Sequence, residues 1–118
     1  MTPDKKAITN VAPECLAKTH LLADLVQYAP ASIVSKTIID SPQGTVTVFA
    51  FDKGQKLSEH TSPYNALVQI IDGAAAITIA SKTFRLSQGQ IIIMPANVPH
   101  SLTADQKFKM LLTLIRSS

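Results

Sequence analysis

Two stretches of the chain share one layout, and that layout leaves few folds open. The first runs Gly54-Gln-Lys-Leu-Ser-Glu-His60-Thr-Ser62-Pro-Tyr-Asn-Ala66-Leu-Val-Gln-Ile-Ile-Asp-Gly73. The second runs Gly89-Gln-Ile-Ile-Ile-Met-Pro95-Ala-Asn97-Val-Pro-His100. Each opens on a glycine turn, holds an apolar run of strand length and carries one histidine. Prolines flank both histidines: Pro63 follows His60, and Pro95 and Pro99 bracket His100, which stiffens the loops that present them.

The texture between and around these stretches is that of short strands. After Pro30, β-branched runs alternate with turn residues, predicting strands over Ser32–Asp40, Thr45–Phe51, Gln55–His60, Ala66–Ile71 and Ala74–Ala80. Thr83–Leu86, Gln90–Met94, Val98–Thr103 and Lys107–Ile115 follow. Asp72-Gly73 predicts a tight hairpin between Ala66–Ile71 and Ala74–Ala80. About nine close-spaced strands with almost no helix read as an all-β sandwich or closed barrel. Before them, residues 1–31 read as an N-terminal arm. Residues 1–14 are polar and proline-interrupted, and Cys15–Tyr28 offers one apolar face for a short helical turn that Pro30 ends. Residues 32–118 form the barrel.

The paired stretches resemble the two motifs of the cupin superfamily. Gly54, His60 and Gly73 fall on the first motif; Gly89, Pro95 and His100 fall on the second. Four positions depart from it: Ser62 stands for a second His, Ala66 for a Glu, Asn97 for a Gly and Ala104 for the closing Asn. The resemblance covers roughly residues 32–115 and implies a double-stranded β-helix, the cupin jelly-roll barrel. It also implies that His60 and His100 point into the barrel mouth, where the family binds a divalent metal.

The residues themselves bear on that implication. If Ala66 faces inward, Val68 and Ile70 do too, and Leu67, Gln69 and Ile71 face the other way. Ala66 is then a pocket position without its carboxylate. Neutral imidazole suits Fe, Zn, Ni and Cu, so His60 and His100 are the candidate ligands of a divalent metal, Zn, Ni or Fe; the other reading makes them hydrogen-bonded pocket-wall residues. A catalytic zinc normally has three protein ligands and an open position, and only two are evident. Ser62, Tyr64, Asn65, Ala66 and Asn97 are the candidate ligand-binding positions. Glu59 precedes His60 and is expected on the opposite face, and His20 is expected at the surface.

Composition excludes several classes. The 118 residues suit one domain. The net charge of +3 is scattered, with only Lys5-Lys6 adjacent, which argues against a nucleic-acid surface. Apolar runs such as Ile91–Met94 are too short to cross a bilayer, and Met1-Thr-Pro-Asp-Lys-Lys leads into no leader-like apolar run. One cysteine excludes an internal disulfide and suits a cytoplasmic protein. The expectation is a small single-domain cupin of unassigned function, homodimeric, binding a small molecule with or without a divalent metal. The alternative is an enzyme, either a metal-dependent dioxygenase or a sugar epimerase or isomerase. In the epimerase case a lone histidine serves as base and Tyr64 as partner acid.

Overall fold

The computed structural model describes residues 10–116. Nine strands occur among them: β1 (Asn10–Val11), β2 (Ile33–Ser41), β3 (Gly44–Phe51), β4 (Lys56–His60), β5 (Tyr64–Ile79), β6 (Lys82–Ser87), β7 (Ile91–Met94), β8 (His100–Thr103) and β9 (Phe108–Arg116). All pairings are antiparallel. One layer runs β1-β2-β3-β9-β5-β7, and the other runs β6-β5-β8-β4. The result is a jelly-roll barrel.

The two layers share β5, where the expected hairpin is replaced by a continuous strand. Asp72-Gly73 does not turn the chain back. Its register shifts between Ile70 and Asp72, leaving Ile71 as the extra residue of a bulge. The same Asp-Gly pair serves here because Gly73 takes φ +72°, and a Cβ on it would lie 2.2 Å from the Lys107 carbonyl oxygen on the neighbouring segment. The extra residue also reverses the side-chain alternation. Ala66, Val68 and Ile70 face inward before the bulge, and Ala75 and Ile77 after it. One strand therefore lines the core of both layers.

That core gathers Phe51, Val68, Ile70, Ile77, Leu86, Leu102, Phe108 and Met110, all nearly inaccessible. Phe51 and Phe108 stack with ring centroids 4.5 Å apart. The expected short helix over Cys15–Tyr28 is instead two 3-10 turns, Pro13–Cys15 and Leu22–Leu25. So few residues do not sustain an isolated α-helix, and here tertiary packing decides. Val26, Leu22, Leu25 and Tyr28 lie on the outer face of the larger layer, against Val48, Ala50 and Leu111. The Tyr28 hydroxyl donates to Asp72 Oδ2 at 2.6 Å, and burial followed by this bond pushes its pKa up. Lys109, itself buried, donates to the Ala23 carbonyl at 2.6 Å. Part of the expected loose arm, 1–14, is ordered: Val11 pairs with Ile39, and Glu14 forms an ion pair with Lys36. Residues 1–9 lie outside the described residues. No helix among the described residues is long and apolar enough to cross a membrane.

Candidate functional site

A cavity of about 100 Å³ opens at one end of the barrel. His60 reaches it through a second bulge. Leu57 pairs with Leu102 and His60 with His100, so β4 spans two residues where β8 spans one. Simple alternation from Leu57 would aim Glu59 inward and His60 outward. The extra residue reverses this and puts His60 beside His100. His100 stands directly across β8 from Ile79 of β5.

The two imidazoles meet edge to face, with ring centroids 4.4 Å apart. His60 Nδ1 lies 2.7 Å from the Ser58 carbonyl and His100 Nδ1 lies 3.1 Å from the Val98 carbonyl. A carbonyl only accepts, so each Nδ1 carries a proton, and in the neutral ring Nε2 then keeps the lone pair. Among the described residues neither Nε2 has a protein partner. His60 is exposed at the rim, whereas His100 is 4% exposed. Burial holds the His100 pKa below its usual value; the Val98 bond opposes this and the neighbouring His60 adds to it.

Of the positions singled out from sequence, His60, Ser62, Ala66 and His100 line this cavity together. Tyr64, Asn65 and Asn97 are not among the lining residues and build the rim instead. Asn65 Oδ1 accepts from the Ala96 amide at 3.0 Å, and the Asn97 amide donates to the Ser62 carbonyl at 2.7 Å. Ser62 Oγ accepts from the Tyr64 amide at 3.0 Å. Asn97 takes φ +64°, the left-handed conformation that glycine and asparagine tolerate best. It thus does the backbone work of the glycine it replaces. Ala104 is buried, and its carbonyl accepts from the Gly54 amide at 2.7 Å, tying the second motif to the first. His20 is exposed, with Nε2 2.6 Å from the Glu14 carbonyl, and lies outside the cavity.

The cavity floor was not foreseen. Leu57, Met94, Leu102, Met110, Leu112 and Leu114 complete the lining. Met94 is the direct cross-strand partner of Ala66. The apolar strand Gln90–Met94 signalled its burial, but only the β5–β7 register brings it to this position.

The donors do not by themselves complete a divalent centre. Two imidazoles converge, Ser62 offers a neutral hydroxyl and Ala66 offers nothing. No group of three or more His, Cys, Asp or Glu placed to hold a metal occurs among the described residues. The site is a small apolar cup with two lone pairs at its lip.

Comparison with known proteins agrees with this architecture. The cupin domain profile matches residues 47–115. A conserved protein of unknown function from Streptococcus pyogenes is 39% identical, with 86% of this chain and 90% of that chain covered and a TM-score of 0.83. A cupin 2 conserved barrel domain protein from Leptotrichia buccalis is 37% identical over 80% of this chain and 46% of that one, with a TM-score of 0.78. A cupin superfamily protein from Desulfitobacterium hafniense is 24% identical over 86% of this chain and 93% of that one, with a TM-score of 0.81, a likeness of fold. No curated protein matches the chain. With its paired motifs, shared strand and matching profile, this chain belongs to the cupin superfamily.

Proposed function

We propose that the barrel mouth binds a small molecule, with His60 and His100 as its polar anchors. The supporting observation is the imidazole pair itself: two rings 4.4 Å apart at an apolar cup, each with Nδ1 committed to the backbone. The paired Nε2 atoms suit a ligand that presents N–H or O–H groups beside an apolar body. The volume of about 100 Å³ is well below the ~300–1,000 Å³ of pockets for drug-sized ligands. The occupant is correspondingly small. Zn, Ni or Fe enters this reading only where the bound molecule supplies the ligands that the chain lacks. We place the protein in a reducing cytoplasm on the strength of its one free cysteine, Cys15.

Turnover by epimerase, isomerase or dioxygenase chemistry has weaker support. Tyr64 is absent from the cavity lining, so a histidine base lacks the proposed partner acid. The test is a native mass spectrum of the purified protein with elemental analysis. A retained small molecule that His60→Ala and His100→Ala both lose supports the reading. One retained equally by both variants contradicts it.

A further inference from the structure

Three polar side chains, His60, Ser62 and His100, line the mouth. His100 is only 4% exposed, and its Nδ1 lies 3.1 Å from the Val98 carbonyl. Among the described residues no sealed side-chain nitrogen or oxygen lacks a hydrogen-bond partner. The unpartnered Nε2 of His100 is therefore not sealed, and the ring lines the cavity. His60 brings a second Nε2 to the same cavity, its own Nδ1 being 2.7 Å from the Ser58 carbonyl. Ser62 Oγ accepts from the Tyr64 amide at 3.0 Å, which leaves its hydroxyl proton to donate. The mouth thus offers two acceptors and one donor.

No Asp, Glu, Lys or Arg is among the lining residues, and the floor is leucine and methionine. An ion entering this cup would lose its water and meet no opposite charge, a cost that neutral molecules escape. A ligand that only accepts hydrogen bonds leaves both Nε2 atoms empty, and one that only donates leaves the Ser62 proton unused. A hydroxyl both donates and accepts, so two adjacent hydroxyls can satisfy all three groups. Size follows from the volume of about 100 Å³, somewhat below the ~150 Å³ apolar cavity that holds benzene. The room exists because position 66 is alanine: Ala66 is 2% exposed and lines the cup opposite Met94. Methionine adapts to apolar bodies of varied shape. Resting on the reading of the mouth as a binding site, we propose that its ligand is an uncharged vicinal diol of about four to six non-hydrogen atoms. Its hydroxyls donate to Nε2 of His60 and of His100, one of them accepts from Ser62, and its hydrocarbon end fills the cup.

The test titrates butane-1,2-diol into the parent protein at about pH 8, well above the ordinary histidine value of about 6.5. Butyrate, pentylammonium and pentanol, all of equal size, serve as the anionic, cationic and single-hydroxyl counterparts. Binding is followed through the imidazole nitrogen resonances, which report directly on Nε2. The diol should bind saturably and move both Nε2 resonances. Both ions should bind about tenfold or more weakly, the cost of a polar group left unpaired, with pentanol in between. His60→Ala should weaken the diol by about tenfold, and Ala66→Val should exclude it while keeping both rings. The comparison of ligands uses the parent alone and stands even where a variant fails to fold. Butyrate, pentylammonium or pentanol binding as tightly as the diol overturns the proposal and leaves the binding site standing. So does a diol that does not bind, while both histidine variants lose the molecule retained in the native spectrum. Diol binding that leaves the Nε2 resonances unmoved, or that survives Ala66→Val, overturns it as well. If the retained molecule also survives both histidine changes, the binding-site reading falls with it.

Discussion

His60 and His100 face each other from unlike surroundings, and the difference is measurable. His100 is buried with its pKa lowered, first by desolvation. The unfolded chain therefore binds a proton more readily than the folded one just below the ordinary histidine value of about 6.5. The stability tied to His100 is fully present above that pH and is lost as pH falls through the lowered folded value. Thermal melts of metal-free protein should show a declining melting temperature from pH 7 to pH 5, and His100→Ala should flatten that decline. An equal slope in the variant would detach the effect from this residue. Asn97 makes a second prediction. Its φ of +64° means that Asn97→Gly should be close to neutral, while Asn97→Val should cost about 1–2 kcal/mol for a branched residue in the left-handed region. From sequence alone Asn97 was a departure from the family pattern and a candidate ligand contact. The backbone conformation that makes it a substitute glycine is visible only in the folded loop.

Strand positions were legible because alternation and turn residues mark them locally. What joined the strands was less so. Asp72-Gly73 is a hairpin signal and a bulge signal at once, and the sequence holds nothing nearby to separate the two. The deciding contact is remote: the Lys107 carbonyl packs where a Gly73 side chain would stand. Ser58–Glu59 behaves alike, because the bulge that turns His60 inward exists only through pairing with β8. Parity in β5 was readable before its bulge, and Ala66, Val68 and Ile70 are inward as expected. Met94 was not recognised as a site residue because its place opposite Ala66 depends on register between strands distant in sequence. Gly73→Ala tests the account of β5. Backbone strain alone costs about 1–3 kcal/mol, and the clash at 2.2 Å adds to it. The melting temperature should fall by a few degrees per kcal/mol, about 4 °C for a domain of intermediate size. A variant as stable as the parent would mean that the bulge relaxes freely.

Across the whole molecule, one row of side chains crosses the larger layer from edge to edge on its outer face. It runs Val11, Ile39, Val46, Thr113, Leu67, Ile93, each paired with the next. At about 4.8 Å per strand the row is roughly 24 Å long. Ile39, Ile93 and the nearby Ile91 and Ile115 are exposed. The segment around Val26 covers only the adjacent part of this face. We propose that a second copy of the chain covers the rest, forming a homodimer. Sedimentation at micromolar concentration should show a dimer, and Ile93→Lys with Ile115→Lys should give a folded monomer. A parent protein that is already monomeric would contradict this. The central claim, that the barrel mouth is a binding site built on two histidines, is tested most directly by thermal shift of the parent, His60→Ala and His100→Ala. Each is melted with and without the molecule retained in the native spectrum. The account predicts that unliganded stability falls by about 1 kcal/mol for His60→Ala and by no more than about 3 kcal/mol for the buried His100→Ala. The ligand-induced shift should vanish in both. A large loss of unliganded stability with the ligand-induced shift intact would show instead that the two histidines hold the barrel together and bind nothing.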